Sequence, residues 1–190
     1  MRKLILQMQI TIDGFVAGPN GELDWMVWDW DDKIKAYVNQ LTDSIDTILL
    51  GRKMTEGFIS YWSKVINNPE EPEYAFGKKM IDTPKIVFSK TLDKISWPNT
   101  RLASGDLSEE INQLKNKQGK DIMVYGGASF VSALIKNNVI DDYHLFINPV
   151  AIGSGLTIFG KLTDKRNMIQ LHTEVFPCGI VLHHYQPGLQ

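Results

Sequence analysis

Several short segments combine residue types that could bind or transform a ligand. Gly51-Arg52-Lys53 joins a glycine, which lets the backbone turn sharply, to two cations. A helix starting there would add uncapped N–H groups and a positive dipole end, a set that suits a phosphate, including a ribose 2′-phosphate. A solvated basic pair at a helix start fits the same residues. Tyr125-Gly126-Gly127-Ala128-Ser129 places two glycines where positive φ and missing Cβ atoms admit a close neighbour. The N–H groups that follow could cradle a pyrophosphate. A plain tight turn has the same composition, and the segment lacks the G-x-G-x-x-G pattern. Ser89-Lys90-Thr91 offers a hydroxyl and an ammonium to a ribose or phosphate, or simply ends a strand in polar residues.

Asp13-Gly14-Phe15-Val16-Ala17 is a turn after which apolar residues resume at once, as in a loop that covers a flat ring. Residues 24–32 hold three tryptophans and four aspartates. Indoles such as Trp25 and Trp28 can wall a pocket for a planar heterocycle, and a carboxylate there would have a raised pKa and could relay a proton. Residue by residue, packing of the indoles and capping by the aspartates is the stronger reading. For the segment as a whole, a pocket wall is. Residues 148–155 form a pliable Gly-Ser-Gly loop that lines the substrate side of a crevice or only connects strands.

Other chemistries lack their patterns. No G-x-x-x-x-G-K-[ST] or G-x-S-x-G occurs. His144, His172, His183 and His184 fall on predicted strands without metal-site spacing. His183 and His184 face opposite sides of their strand, so they cannot share one ion. No metal is expected. Cys178, the single cysteine, sits in a turn and excludes an internal disulfide, which fits a reducing, cytoplasmic setting.

These segments need a scaffold that gathers them. β-Branched and apolar enrichment predicts strands at 4–12, 47–50, 85–89, 122–125, 142–150, 168–176 and 180–186, with a shorter one at 100–103. The run Thr47-Ile48-Leu49-Leu50 reads as a strand covered on both faces. Helical spacing predicts helices at 31–41, 53–62, 73–81, 107–117, where Ser108 is the expected cap, and 128–137. Residues 67–73, with two prolines and three acids, read as a surface loop. Alternating strands and helices predict a mainly parallel sheet with helices on both faces, closed by a hairpin at Pro177-Cys178-Gly179. In such sheets ligands bind beyond the carboxyl ends of the strands, where the segments above lie.

The 190 residues suffice for one domain over residues 1–190. The net charge of −2 supplies no basic excess for nucleic acid or an anionic membrane, which leaves small molecules as the expected partners. The basic, apolar N-terminus is interrupted by Gln7 and Gln9 and reads as a strand, not a signal peptide.

The order of these segments resembles the dihydrofolate reductase superfamily, in the branch that contains the reductase domain of the riboflavin-biosynthesis deaminase-reductase and its stand-alone relatives. The resemblance is carried by residues 13–17, 49–53 with Glu56-Gly57-Phe58 and Tyr61-Trp62, 87–90, 124–127, and Pro149-Val150 through Gly153, Gly155 and Phe159. It implies a dihydrofolate-reductase-like α/β fold in three layers, with about eight strands, and an NADPH-dependent reductase acting on a pterin, folate or aminouracil riboside. By the same resemblance Val16 and Ala17 lie near the nicotinamide. Gly51, Arg52 and Lys53 hold the adenosine phosphate, and Ser89 and Lys90 the adenine ribose. Gly126, Gly127, Ala128 and Ser129 bind the pyrophosphate, and a cis peptide joins the two glycines. Folate reductases carry an acid early in the first helix, where Asp31 and Asp32 fall nearest, and Asp32 is the expected proton donor; Asp13, Phe15, Trp25 and Trp28 are expected to face the substrate. Met54 stands where relatives carry threonine, with Thr55 one residue late. Relatives are often homodimers. The alternative is a nucleotide- or flavin-binding module that keeps the fold without turnover.

Overall fold

Ile48, Leu49 and Leu50 are completely buried, as an apolar run covered on both faces requires. They belong to β2 (Ile45–Gly51), which follows β1 (Leu4–Thr11) and α1 (Asp32–Asp43). The chain continues through α2 (Arg52–Val65), α3 (Tyr74–Asp82), β3 (Lys85–Phe88), β4 (Thr100–Ala103) and α4 (Leu107–Lys115). It ends with β5 (Asp121–Gly126), α5 (Ala128–Lys136), β6 (Asp142–Asn148), β7 (Met168–Val175) and β8 (Val181–Pro187). This computed structural model describes residues 1–188. The last two residues of the expected 1–190 unit lie outside them.

The eight strands form one sheet in the order β4-β3-β2-β5-β1-β6-β8-β7. Pairing is parallel from β4 to β6, and β8 runs antiparallel to both β6 and β7. The mixed, mostly parallel sheet with a closing hairpin therefore matches the sequence reading. From β2 the chain moves outward to β3 and β4. It then returns to β5 and crosses β1 to reach β6. Connections leave β2 and β5 in opposite directions, so the topology switches between these neighbouring strands, the place where open α/β sheets form a ligand crevice.

Residues along β1 alternate between two cores. Leu4, Leu6, Met8 and Ile10 join one cluster with Ile111 and Leu114 of α4 and Val131, Leu134 and Ile135 of α5. Ile5 joins another, with Ile48, Leu50, Met80 and Met123, under α2 and α3. A third gathers Ile34 and Val38 of α1 with Phe146, Phe176 and Leu182. On the edge strand β7, by contrast, Ile169, Leu171 and Val175 are 52%, 48% and 66% exposed, and a register shift after Gln170 puts Ile169 and Val175 on opposite faces of the sheet. Among the described residues no helix is long and apolar enough to cross a membrane.

Local chemistry moves several predicted boundaries. β6 stops at Asn148 because Pro149 has no N–H to continue a ladder. Asp31 is the N-cap of α1, not its first residue. In α4 the cap is Asp106, whose carboxylate accepts from the Ser108 and Glu109 N–H groups; Ser108 is not the cap, because it already lies inside the helix. The expected cis bond between Gly126 and Gly127 is not found: no cis peptide occurs among the described residues. The turn from β5 into α5 is made instead by positive φ at both glycines, 151° and 87°.

Gly127 also has a contact no larger residue could make. A Cβ there would stand 2.9 Å from Gly51 Cα, against backbone that cannot yield. Gly57, in α2, has nothing within 4 Å of the equivalent position. Gly127→Ala should lower the unfolding free energy by about 3 kcal/mol or more. Gly57→Ala should raise it by roughly 0.5–1 kcal/mol, as relief of a helical glycine does. Urea titrations of both variants check the contrast, and equal effects would contradict it.

Candidate functional site

Two helices begin at the topological switch. α2 starts from Gly51 and α5 from Gly127, and neither N-terminus receives a side-chain cap. The caps are the two glycines in contact, so the uncapped first turns of α2 and α5 lie side by side. Each presents N–H groups and the positive end of a dipole, and Arg52 and Lys53 stand exposed beside them. Beyond Arg52 and Lys53 opens a cavity of about 460 Å³, lined also by Glu56, Leu92 and Trp97. Aliphatic and indole surface next to cations suits a purine nucleotide with its phosphates.

The sequence reading missed Leu92 and Trp97. They come from the loop after β3, which has no periodicity to reveal it. Ser89 organises that loop: its hydroxyl accepts from the Thr91 and Leu92 N–H groups, both at 3.1 Å, so Ser89 is buried while Lys90 is exposed. Thr55 is buried, and its hydroxyl donates back to the Gly51 carbonyl at 3.1 Å. It is thereby committed to the helix, not to a ligand. Met54 packs on Gly126, where a Cβ would stand 2.8 Å from its sulfur. Ala128 is half-buried and Ser129 exposed at the start of α5.

The other end of the crevice is built from the loops after β1 and β6. Asp13 Oδ2 accepts from the Ile152 and Gly153 N–H groups at 3.0 and 2.7 Å, and Thr11 donates its hydroxyl to Oδ1. The Thr11 bond chiefly, with the two backbone bonds, holds the Asp13 carboxyl below its ordinary range. Val16 N–H donates to Leu156 O and Leu156 N–H to Ala17 O, both at 2.8 Å. Val16 and Ala17 are buried, and Phe15 is half-buried against Gly155. The predicted loops at 13–17 and 148–155 thus form one structure.

The tryptophan-rich segment lies before α1. Val27 N–H donates to Asn148 Oδ1 at 2.8 Å and fixes the segment to the end of β6. Trp25 and Trp30 turn their indole N–H groups back to Glu22 O and Val27 O. Trp28 is 63% exposed. Asp31 Oδ1 accepts from Lys33 and Ile34 N–H, and Oδ2 from Cys178 N–H, tying α1 to the hairpin turn. Partial loss of solvent opposes ionisation of Asp31, but these bonds outweigh it and lower its pKa. Asp32 stands exposed in the first turn.

Linear spacing hid a second cluster. Antiparallel pairing of β6 with β8 sets His144 opposite His184, and their rings stack at 4.0 Å with 18° between planes. His184 Nε2 pairs with Asp142 Oδ1 at 2.8 Å, Lys3 Nζ lies 3.0 Å from Asp142 Oδ2, and His144 Nδ1 pairs with the Tyr37 hydroxyl at 2.8 Å. Asp142, His144 and His184 lie close enough to suggest a metal site. Stacked rings, however, hold their in-plane lone pairs in separate, near-parallel planes that do not meet at a common ion. The arrangement is a hydrogen-bonded stack rather than a coordination sphere. Burial chiefly, with the His184 ring, pushes His144 down to about 3, while burial, Glu174 and Asp142 push Tyr37 up to about 12.

Residues 2–182 match the RibD C-terminal domain. YyaP of Bacillus subtilis (strain 168), an uncharacterized protein, is 37% identical over 183 residues, which span 95% of this chain and 92% of YyaP. Among solved structures, a Shewanella sp. PV-4 protein provisionally assigned to riboflavin biosynthesis superposes over 100% of both chains with a TM-score of 0.74 at 21% identity. A diaminohydroxyphosphoribosylaminopyrimidine deaminase/5-amino-6-(5-phosphoribosylamino)uracil reductase of Thermotoga maritima superposes with a TM-score of 0.68 at 19% identity, over 98% of this chain and 57% of that one. These last two likenesses show the fold.

The His144 stack has a consequence for acid stability. Its folded pKa, about 3, lies below the ordinary 6.5. As pH falls, the unfolded chain takes the proton first, so stability present above pH 6.5 is lost progressively toward pH 3. Asp142, Lys3, His172 and His184 are the charged or titratable groups that act on it. Between pH 7 and 5 the wild type should lose about 2 kcal/mol more than His144→Phe, from the single-site linkage relation. Denaturant titrations at the two pH values measure this, and parallel losses would refute it.

Proposed function

Because the chain belongs to the RibD C-terminal domain family, we propose that it is an NADPH-dependent reductase that transfers a hydride to a small planar heterocyclic or ribosyl substrate of the pterin, folate or aminouracil-riboside type. The observation that carries this reading is the convergence of two uncapped helix N-termini, with Arg52 and Lys53, beside a cavity bearing Trp97 and Leu92. Two positive helix ends held together favour a bound anion, and an adjoining apolar wall favours an attached base. NADPH bound there would supply the hydride.

In this reading Arg52 and Lys53 hold the 2′-phosphate. The N–H groups of Gly127, Ala128 and Ser129 face the pyrophosphate, and the segment at Ser89 and Lys90 borders the adenine ribose. Val16 and Ala17, in the stapled loops, adjoin the nicotinamide, and Asp13 keeps those loops in place. Phe15, Trp25 and Trp28 surround the substrate. Asp32 is the proposed proton donor, since Asp31 is engaged in capping α1 and bonding Cys178.

Arg52→Ala should weaken NADPH about tenfold, the loss of one charge-assisted contact, and NADH less than about twofold. Equal weakening in a fluorescence titration would remove Arg52 from the phosphate role. Oxidation of NADPH against a panel of pterins, dihydrofolate and aminouracil ribosides tests turnover. Tight binding with no oxidation across that panel would favour a non-catalytic nucleotide-binding module.

We also propose a homodimer. The exposed edge strand β7, which carries the exposed apolar residues Ile169, Leu171 and Val175, supports it, since an open sheet edge is ordinarily covered. Light scattering should give twice the chain mass for the wild type and the chain mass for Leu171→Asp.

A further inference from the structure

On the face beneath α4 and α5 the sheet carries one continuous apolar cluster. On the opposite face the apolar residues divide into two, one under α2 and α3 and one under α1. A polar strip separates them. It consists of Gln7, Gln9 and Thr11 on β1, with His144 and Asn148 in register beside them on β6. Tyr125 of β5 adjoins Gln7 through the Leu6–Val124 pairing. Aromatic rings bracket the strip, Phe58 against Tyr125 on one side and Tyr37 against His144 on the other.

A relay of amides sets the direction of one member. Val27 N–H donates to Asn148 Oδ1, so Asn148 Nδ2 must be the donor to Gln9 Oε1, at 2.7 Å. Gln9 Nε2 is thereby left as a buried donor with no acceptor among the described residues. Among the described residues Gln7 Oε1 has no donor, although Gln7 is only 7% exposed, and the Tyr125 hydroxyl has no partner. Buried polar groups are ordinarily satisfied, so three unsatisfied atoms on one face of the sheet, one donor, one acceptor and one hydroxyl, point to a missing partner of complementary polarity.

We propose that this strip reads the lactam edge of the substrate ring. Gln9 Nε2 donates to a ring carbonyl oxygen, Gln7 Oε1 accepts from the neighbouring ring N–H, and the Tyr125 hydroxyl meets a further polar substituent. The proposal rests on the reductase reading and adds which side chains select its substrate. A ring with an amino group in place of the carbonyl is rejected, because it sets a donor against the Gln9 donor and leaves both unpaired. Asn148 is a positioning residue: it touches no substrate and determines which end of the Gln9 amide faces outward.

The experiment compares lumazine, which carries lactam edges, with 2,4-diaminopteridine, which carries none, by calorimetric titration of the full chain with and without NADPH. Wild type should prefer lumazine about 100-fold, and Gln9→Leu should bind it about 30-fold more weakly, the size expected of a buried hydrogen bond left unmade. Asn148→Asp should abolish the preference, because each pteridine then meets one matched and one opposed group at Gln9 and Gln7. An aspartate at 148 can only accept, so it draws Gln9 Nε2 toward itself and turns Gln9 Oε1 outward. A merely structural role for Asn148 would weaken both pteridines and leave their ratio unchanged. Near-UV circular dichroism confirms that each variant is folded, and Gln9→Leu alone decides the matter if Asn148→Asp is not. Failure of the wild type to bind lumazine, its equal affinity for both pteridines, or lumazine affinity unchanged in Gln9→Leu would overturn the proposal. NADPH affinity is read on the same samples. Its absence alongside a Gln9-dependent lumazine preference would count against the reductase reading alone.

Discussion

The contact between the Gly51 and Gly127 backbones sets the working end of the molecule. It brings the ends of β2 and β5 so close that a single Cβ would collide. Because the chain leaves these strands in opposite directions, the contact also brings together the starts of α2 and α5. Each helix start carries roughly half a positive charge from its aligned peptides. Arg52 and Lys53 add to a region where like charge already accumulates. No side-chain cap relieves it at either helix, whereas Asp31 and Asp106 cap α1 and α4. The fold therefore concentrates positive potential at one point of the sheet and leaves its neutralisation to something that binds.

Much of this was legible in the residues. The run around Leu49 announced a central strand, the alternation of patterns announced a parallel sheet, and Pro177-Cys178-Gly179 announced the closing hairpin. These are local signals, set by propensity and periodicity. What stayed hidden depended on non-local pairing. His144 and His184 meet only because β8 returns antiparallel to β6. Trp97 reaches the cavity from a loop whose course is fixed by the Ser89 hydroxyl, not by any repeat. Ser108 and Asp106 are both good capping residues, and only the helix boundary decides between them.

Gln7 and Gln9 show how a correct sequence inference can miss its own content. Read along the chain, they break an apolar run and argue for a strand. In the sheet, Gln7 is buried and Gln9 is half-buried, and the core on that face is divided on either side of them. A protein selected only for stability would fill such a strip with apolar side chains, since unsatisfied buried amides are destabilising. Composition cannot distinguish a glutamine facing water from one facing inward. The hydrogen-bond inventory of the folded chain can.

The bonds of Asp13 to Ile152 and Gly153, and of Val16 and Ala17 to Leu156, also have a mechanical meaning. Neither loop can lift without breaking the bonds of the other. The cover over the β1 and β6 ends of the sheet therefore has one degree of freedom instead of two. Its stiffness is shared between one carboxylate and a pair of backbone bonds, in a segment whose composition alone resembles an ordinary turn.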